Sequence, residues 1–323
     1  MKKIVINAFL ITFSIAIGLF FCELFGRFVG LGDPLIYEED PLVGYRLRPN
    51  QKKIGRNNSN ISIDHEGFRY NPNQEKTNND KYIVFVGDSI TYGGSYTDDS
   101  EIFSSIYCSN IKESICLNSG LNGWGLYNIG RFIRNFSLYS DRNPSEFIVV
   151  ISPNDVLRNV SQLRGLPWFT SEPKEPKALN QISKYVILAH ILPNLESKNE
   201  GNEYFQKYWL RKGINQKESN IREKTIQTSF KHFSESIKET NTKVNIILAP
   251  PKRWFEETEY YSSSIKLYDE YLKKLSKNNN VSKYCNLYHK IKNNYSPKDF
   301  VDSAHLSVSG HKKWEQYIQK CIS

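Results

Sequence analysis

Apolar residues are unevenly distributed along the chain, and their spacing changes character several times. Residues 4–21, IVINAFLITFSIAIGLFF, form one run in which only Asn7 is strongly polar, and Lys2 and Lys3 precede it. Eighteen helical residues span about 27 Å at roughly 1.5 Å each, close to a bilayer core of about 30 Å. The two lysines favour an N-terminus left in the cytoplasm. No small-x-small cleavage site follows, and Phe20 and Phe21 are too bulky for lipoprotein cleavage at Cys22. Residues 1–30 therefore read as an uncleaved signal anchor. A cleaved export signal is the main alternative, and a buried core helix is a third. Either of the first two places the remainder outside the cytoplasm, periplasmic or at the cell surface.

Residues 31–80 are polar and punctuated by Gly, Pro and Asn, and read as a loop-rich extension with a single candidate hairpin. From Tyr82 the pattern turns to short β-branched runs: IVFVGD (83–88), ICLNSG (115–120), FIVVIS (147–152), VNIILAP (244–250) and a weaker one near 286–288. Helical periodicity covers 102–113, 126–139, 221–239, 265–277 and 308–320. Strands alternating with helices predict an α/β sandwich built on a parallel sheet, because buried parallel strands read as continuous apolar runs. Residues 157–215, with Pro167, Pro173, Pro176, Pro193, Trp168 and Trp209, read as an insertion between the third and fourth strands. It would serve as a lid, a substrate wall or a structural flap.

Composition narrows the classes. With 39% hydrophobic and 13% aromatic residues, the 323-residue chain has material for a large core. The net charge is +9, and still +8 without residues 1–35. An exported basic domain suits an anionic lipid surface or an acidic glycan, although a lysine-rich soluble surface explains the charge as well. The basic residues are dispersed and the compartment is wrong for nucleic acid. Five cysteines are too few for a disulfide scaffold, and none has zinc-site spacing, so no metal is expected. Cys108, Cys116, Cys285 and Cys321 could pair in an oxidising compartment, leaving Cys22 in the membrane, but four cysteines allow three connectivities.

Candidate chemistry sits just past the strands. Ser89, in Gly87-Asp88-Ser89-Ile90-Thr91, follows the first run and would stand at the lip of a sheet, where a helix start aims N–H groups at a developing oxyanion. An N-cap serine in a plain turn is the ordinary alternative. His305 lies three residues after Asp302, just before the last helical pattern. A serine nucleophile needs a base, usually histidine, and an acid at this spacing can orient the ring. His65, His190, His232, His289 and His311 lack such an acid, and His289 and His311 read as surface or partly buried structural residues. Gly120 and Gly123, in NSGLNGWG (118–125), could expose backbone N–H donors, and Asn154 of SPND (152–155) offers an amide.

These four ordered segments resemble the SGNH (GDSL-like) hydrolases, named for Ser, Gly, Asn and His in four blocks. The resemblance covers residues 82–320, interrupted by the insertion. It implies a three-layer α/β/α sandwich with a flavodoxin-like five-stranded parallel sheet over 81–323, with Ser89 as nucleophile, His305 as base and Asp302 as its orienting acid. It implies an oxyanion hole from Ser89, Gly123 and Asn154, and no cofactor. Ser152 stands where the third block usually has glycine. DPLVGYRLRPN and HEGFRY resemble the lead-in of membrane-anchored bacterial members, which act on acyl groups of cell-envelope polysaccharides. The implied activity is a serine esterase removing acyl, chiefly acetyl, groups from an acylated carbohydrate. An O-acyltransferase with a multi-pass membrane partner, a non-catalytic glycan-binding assembly protein, and a lipase or thioesterase acting on exported lipid are the alternatives. Trp124, Trp168 and Trp254 are candidates to stack on sugar rings, against ordinary core packing.

Overall fold

The computed structural model describes residues 2–28, 35–72, 81–111, 114–158, 169–170, 216–277 and 280–322. Helix α1 (Lys2–Phe28) is long and apolar enough to cross a membrane, and none of its apolar window is buried by the described residues. The rest of the expected insertion, including Trp168 and Trp209, lies outside the described residues, apart from its first two positions and 169–170.

Residues 35–72 carry two antiparallel hairpins, β1 (Tyr37–Asp40) with β2 (Gly44–Leu47) and β3 (Gln51–Ile54) with β4 (Asn60–Ile63). The compact part of the molecule thus begins at Leu35, not at Tyr82. Tyr37, Val43, Tyr45, Leu47, Ile61, Ile63 and Phe68 are buried in the same core as the main sheet. They escape a sequence reading because they alternate with polar residues over strands of four, too short to show a period.

The main sheet has five parallel strands: β5 (Lys81–Gly87), β6 (Ser114–Asn118), β7 (Pro144–Ile151), β9 (Lys243–Leu248) and β10 (Val281–Asn286). Their spatial order is β10-β9-β7-β5-β6. A short strand, β8 (Phe169–Thr170), pairs with β1 outside this sheet. The order is the flavodoxin-like one, with its switch point between β5 and β7. Successive side chains alternate between the two layers: Phe147, Val149 and Ile151 join one apolar cluster, Ile148 and Val150 the other. Each such buried side chain contributes about 1.5–3 kcal/mol.

On the first face lie α4 (Leu126–Arg134), α6 (Gln216–Lys238) and α8 (Thr258–Leu275). On the second lie α3 (Phe103–Ser109) and α10 (Val308–Ile322). Short helices α2 (Ser89–Tyr92), α5 (Pro153–Leu157), α7 (Lys252–Glu256) and α9 (Leu287–Ile291) begin at or just beyond strand ends. The result is a three-layer α/β/α sandwich. The fifth strand lies at 281–286, earlier than expected. It is an edge strand with half-solvated Ser282, Lys283 and Tyr284, so it has no apolar run, and Asn286 already caps α9 by accepting from Tyr288 N–H.

Disulfides join Cys108 to Cys116 and Cys285 to Cys321. The first ties α3 to β6, the second β10 to α10. Cys22 is free and exposed on α1. Trp124 and Trp254 are buried in the core, so neither is available to stack on a sugar.

Candidate active site

Ser89 is the first residue of α2, immediately past β5 at the switch point. Asp88 caps this turn, its carboxylate accepting from Ile90 N–H at 2.9 Å. Gly93 ends it at φ +90°, a left-handed conformation that suits glycine, and donates to Ser89 O. One helical turn between a strand and a tight reversal leaves Ser89 half-exposed at the sheet's carboxyl edge.

The candidate base comes from the other end of the chain. His305 Nε2 lies 2.8 Å from Ser89 Oγ, and His305 Nδ1 lies 2.7 Å from Asp302 Oδ2. The second carboxylate oxygen accepts from the Ala304 and His305 N–H groups, each at 2.8 Å. Asp302 therefore holds both the ring and its own turn. Val301 N–H donates to His305 O at 2.9 Å, and Lys252 N–H donates to Ser303 O at 3.0 Å, which pins the loop to the start of α7.

Electrostatics follow the geometry. The Asp302 hydrogen bond raises the His305 pKa above its ordinary 6.5. Burial lowers it, the Asp302 and Asp88 charges add to the rise, and Arg158 opposes them. For Asp302, partial burial works upward, but the bonds from the His305 ring and the two N–H groups outweigh it and hold the carboxyl well below its usual range. Asp302 is thus held as the carboxylate an orienting acid needs, and its bond to the ring favours proton uptake by His305.

The candidate donor segments meet the Ser89 turn from the neighbouring strands. Leu121 N–H donates to Gly87 O at 3.0 Å, and Ser152 Oγ donates to Asp88 Oδ2 at 3.3 Å. Arg158 Nη1 lies 3.1 Å from Asp88 Oδ2, 2.8 Å from Trp124 O and 3.0 Å from Asp155 Oδ1. These three are the chain neighbours of Ser89, Gly123 and Asn154, so the three candidate donors are gathered around one guanidinium. Among the described residues no hydrogen bond engages Ser89 N–H, Gly123 N–H or the Asn154 amide nitrogen.

The structure also separates the two candidate glycines. Gly120 N–H is spent on Asn118 Oδ1 at 2.8 Å. Gly123 has φ +83° and, among the described residues, an uncommitted N–H. Ser152 in place of glycine is harmless: its φ of −92° suits any residue, its N–H donates to Asp155 at 2.7 Å, and its hydroxyl serves Asp88. His311, expected at the surface or partly buried, is wholly buried between Phe103 N–H and Gly93 O, and burial pushes its pKa down to about 3. It is a neutral spacer behind α2, not a second base.

Three contributors were missed by sequence reasoning. Tyr45 of β2 donates to Asn122 O at 2.7 Å, while its own carbonyl accepts from Trp124 Nε1 at 3.1 Å, so the glycine loop rests on the extension. Arg69, of the HEGFRY segment, is fully buried. It pairs with Asp99 at 2.8 Å and donates to the carbonyls of Tyr92, Gly94 and Thr97, bracing the chain that leaves α2. Arg158 is the third. The available signals were weak: a conspicuous GFR tripeptide for Arg69, and a lone basic residue closing PNDVLR for Arg158.

No family model matches the sequence, and no curated protein matches it by sequence. The chain is similar in structure to lipolytic and esterase proteins. An acetylxylan esterase from Geobacillus stearothermophilus aligns with TM-score 0.46 and 12% identity over 76% of this chain and 97% of its own. A member of the lipolytic protein G-D-S-L family from Veillonella parvula aligns with TM-score 0.43 and 14% identity over 74% and 97%. An alpha/beta hydrolase enzyme from the Lake Arreo metagenome gives 0.42 and 13% over 75% and 94%. What the site can do is decided by its own residues.

Proposed function

We propose that the chain is a membrane-anchored, extracytoplasmic serine esterase of the SGNH type, removing acetyl groups from a cell-envelope polysaccharide. The observation that carries the esterase reading is the Ser89–His305–Asp302 relay, with contacts of 2.8 and 2.7 Å at the carboxyl edge of the sheet. His305 takes the Ser89 proton as Oγ attacks an ester carbonyl. Ser89 N–H, Gly123 N–H and the Asn154 amide receive the oxyanion, and one such donor is worth about 3 kcal/mol of barrier. The alkoxide leaves with the proton from His305, and water attacks the acyl-Ser89 through the same base.

Two disulfides support an oxidising compartment, since such bonds are rare in the reducing cytosol. Helix α1, which opens with Lys2 and Lys3, supports an anchor whose following domain is exported. The acetyl group and the glycan rest on the motif resemblance and its lead-in segments.

The test is hydrolysis of 4-nitrophenyl acetate by the full chain in detergent beside Ser89→Ala, followed by butyrate and octanoate esters. Activity that disappears in the variant and declines with acyl length supports the reading. Equal rates for the two proteins sink the esterase, and preference for octanoate sinks the acetyl assignment. Acetyl transfer to an added oligosaccharide without net hydrolysis would make it an O-acyltransferase.

A further inference from the structure

Arg158 has an unusual position. A single side-chain nitrogen contacts three separate loops: the nucleophile turn through Asp88, the glycine loop through Trp124 O, and the third-strand turn through Asp155. Gly125 lets the two backbones approach, because a Cβ there would lie 2.8 Å from Arg158 Cβ and 2.9 Å from its carbonyl oxygen. The Asp88 and Asp155 side chains are 3% and 0% exposed, against 21% for Arg158. Burial and then the neighbouring Asp88 push Asp155 well above the usual carboxylate range, and Arg158 opposes both. Remove the guanidinium and two buried acids face each other with no cation between them.

We propose that Arg158 is a positioning residue for the oxyanion hole: it sets the spacing of Ser89, Gly123 and Asn154 by joining the three loops that carry them. The proposal rests on the esterase reading of this site. The loops come from β5, β6 and β7; the Leu121 N–H to Gly87 O and Ser152 Oγ to Asp88 bonds tie them two at a time, and the Arg158 guanidinium joins all three. A lysine supplies the charge but only a point of contact, whereas a planar guanidinium can hold several acceptors at fixed angles. The chemistry downstream is sensitive to that spacing, since a misplacement of about 1 Å can cost roughly 100-fold in rate.

Arg158 also acts on the base. Asp302 and the Ser89 hydroxyl contact the His305 ring; the Asp302 hydrogen bond and the Asp302 and Asp88 charges raise its pKa and the Arg158 charge lowers it. Loss of the guanidinium moves the His305 pKa upward.

The experiment compares Arg158→Ala and Arg158→Lys with the wild-type chain in detergent. It reads kcat and KM on 4-nitrophenyl acetate from pH 5 to 9, the His305 titration by NMR, and Tm. For Arg158→Ala, kcat should fall roughly 100-fold with KM little changed, as expected for interactions realised in the transition state. The acid limb should move to higher pH, and millimolar guanidinium should restore part of kcat in this variant only. Arg158→Lys should return the His305 titration to its wild-type position while kcat stays at least about 10-fold low. A wild-type kcat in either folded variant overturns the proposal. If Arg158→Ala does not fold, Arg158→Lys decides by the same readouts. If the wild-type chain hydrolyses nothing, the esterase reading has failed on its own. The backbone amide shifts of Ser89 and Gly123 in the same NMR series still test the clamp, and shifts that Arg158→Ala leaves unchanged overturn it.

Discussion

Gly123→Ala probes the oxyanion assignment most directly. The position has φ +83°, which costs an L-residue about 1–2 kcal/mol. The new Cβ would lie 2.9 Å from Tyr45 Oη. That hydroxyl is not a free end, because it donates to Asn122 O at 2.7 Å. Displacing it gives up a hydrogen bond worth about 1 kcal/mol. The total of about 2–3 kcal/mol corresponds to a Tm fall of roughly 4–12 °C in a domain of this size. The loop can relieve that strain by rotating the 122–123 peptide, which turns the N–H away from the oxyanion. Losing one donor costs about 10²–10³ in kcat. Steady-state hydrolysis of 4-nitrophenyl acetate with a thermal melt on the same sample measures both quantities. Tyr45→Phe in the Gly123→Ala background should recover part of the Tm and little of the kcat. Gly120→Ala is the contrasting case: its Cβ would meet Tyr92 N at 2.2 Å and the Thr91 carbonyl carbon at 2.6 Å, main chain that cannot give way, so no folded protein is expected. A Gly123→Ala protein with the lowered Tm but a kcat within about threefold of wild type would refute the donor role.

The site also has a defined pH response. His305 acts as a base only when neutral, so kcat/KM should fall as pH drops through a pKa lying above 6.5, raised first by the Asp302 hydrogen bond. In Asp302→Asn that cause is gone: the acid limb should move to lower pH and kcat should drop by about 10⁴ through the wrong tautomer, and an unmoved limb counts against the pairing. The disulfides differ in leverage. By loop entropy, replacing Cys285 and Cys321 by serine, which opens a separation of 36 residues, should cost about 4 kcal/mol. The same change at Cys108 and Cys116, separated by 8, should cost about 2.5 kcal/mol in urea unfolding, and the reverse ranking would contradict the chain-entropy reasoning.

Much of this architecture is legible in the chain itself. IVFVGD, ICLNSG, FIVVIS and VNIILAP announce buried strands because both of their faces must be apolar. Ser89, Gly123, Asn154 and His305 are legible as candidates because each follows a strand or precedes a helix, and parallel topology gathers such loops on one edge. β10 is legible only near its end, because an edge strand half in water carries no apolar run.

The remainder was decided by contacts between residues far apart in sequence. Tyr45 and Asn122 are 77 positions apart, Arg158 and Asp88 70, and His305 and Ser89 216. Nothing near Tyr45 shows that its hydroxyl will support a glycine loop, and nothing near Arg158 shows that one nitrogen will meet three loops. Local pattern determines which residues are strand, helix or turn, because those preferences act over a few neighbours. The partner of a buried guanidinium, the glycine whose N–H is left unspent and the oxidised pairing of four cysteines are fixed only when packing brings distant groups within hydrogen-bonding or bonding distance.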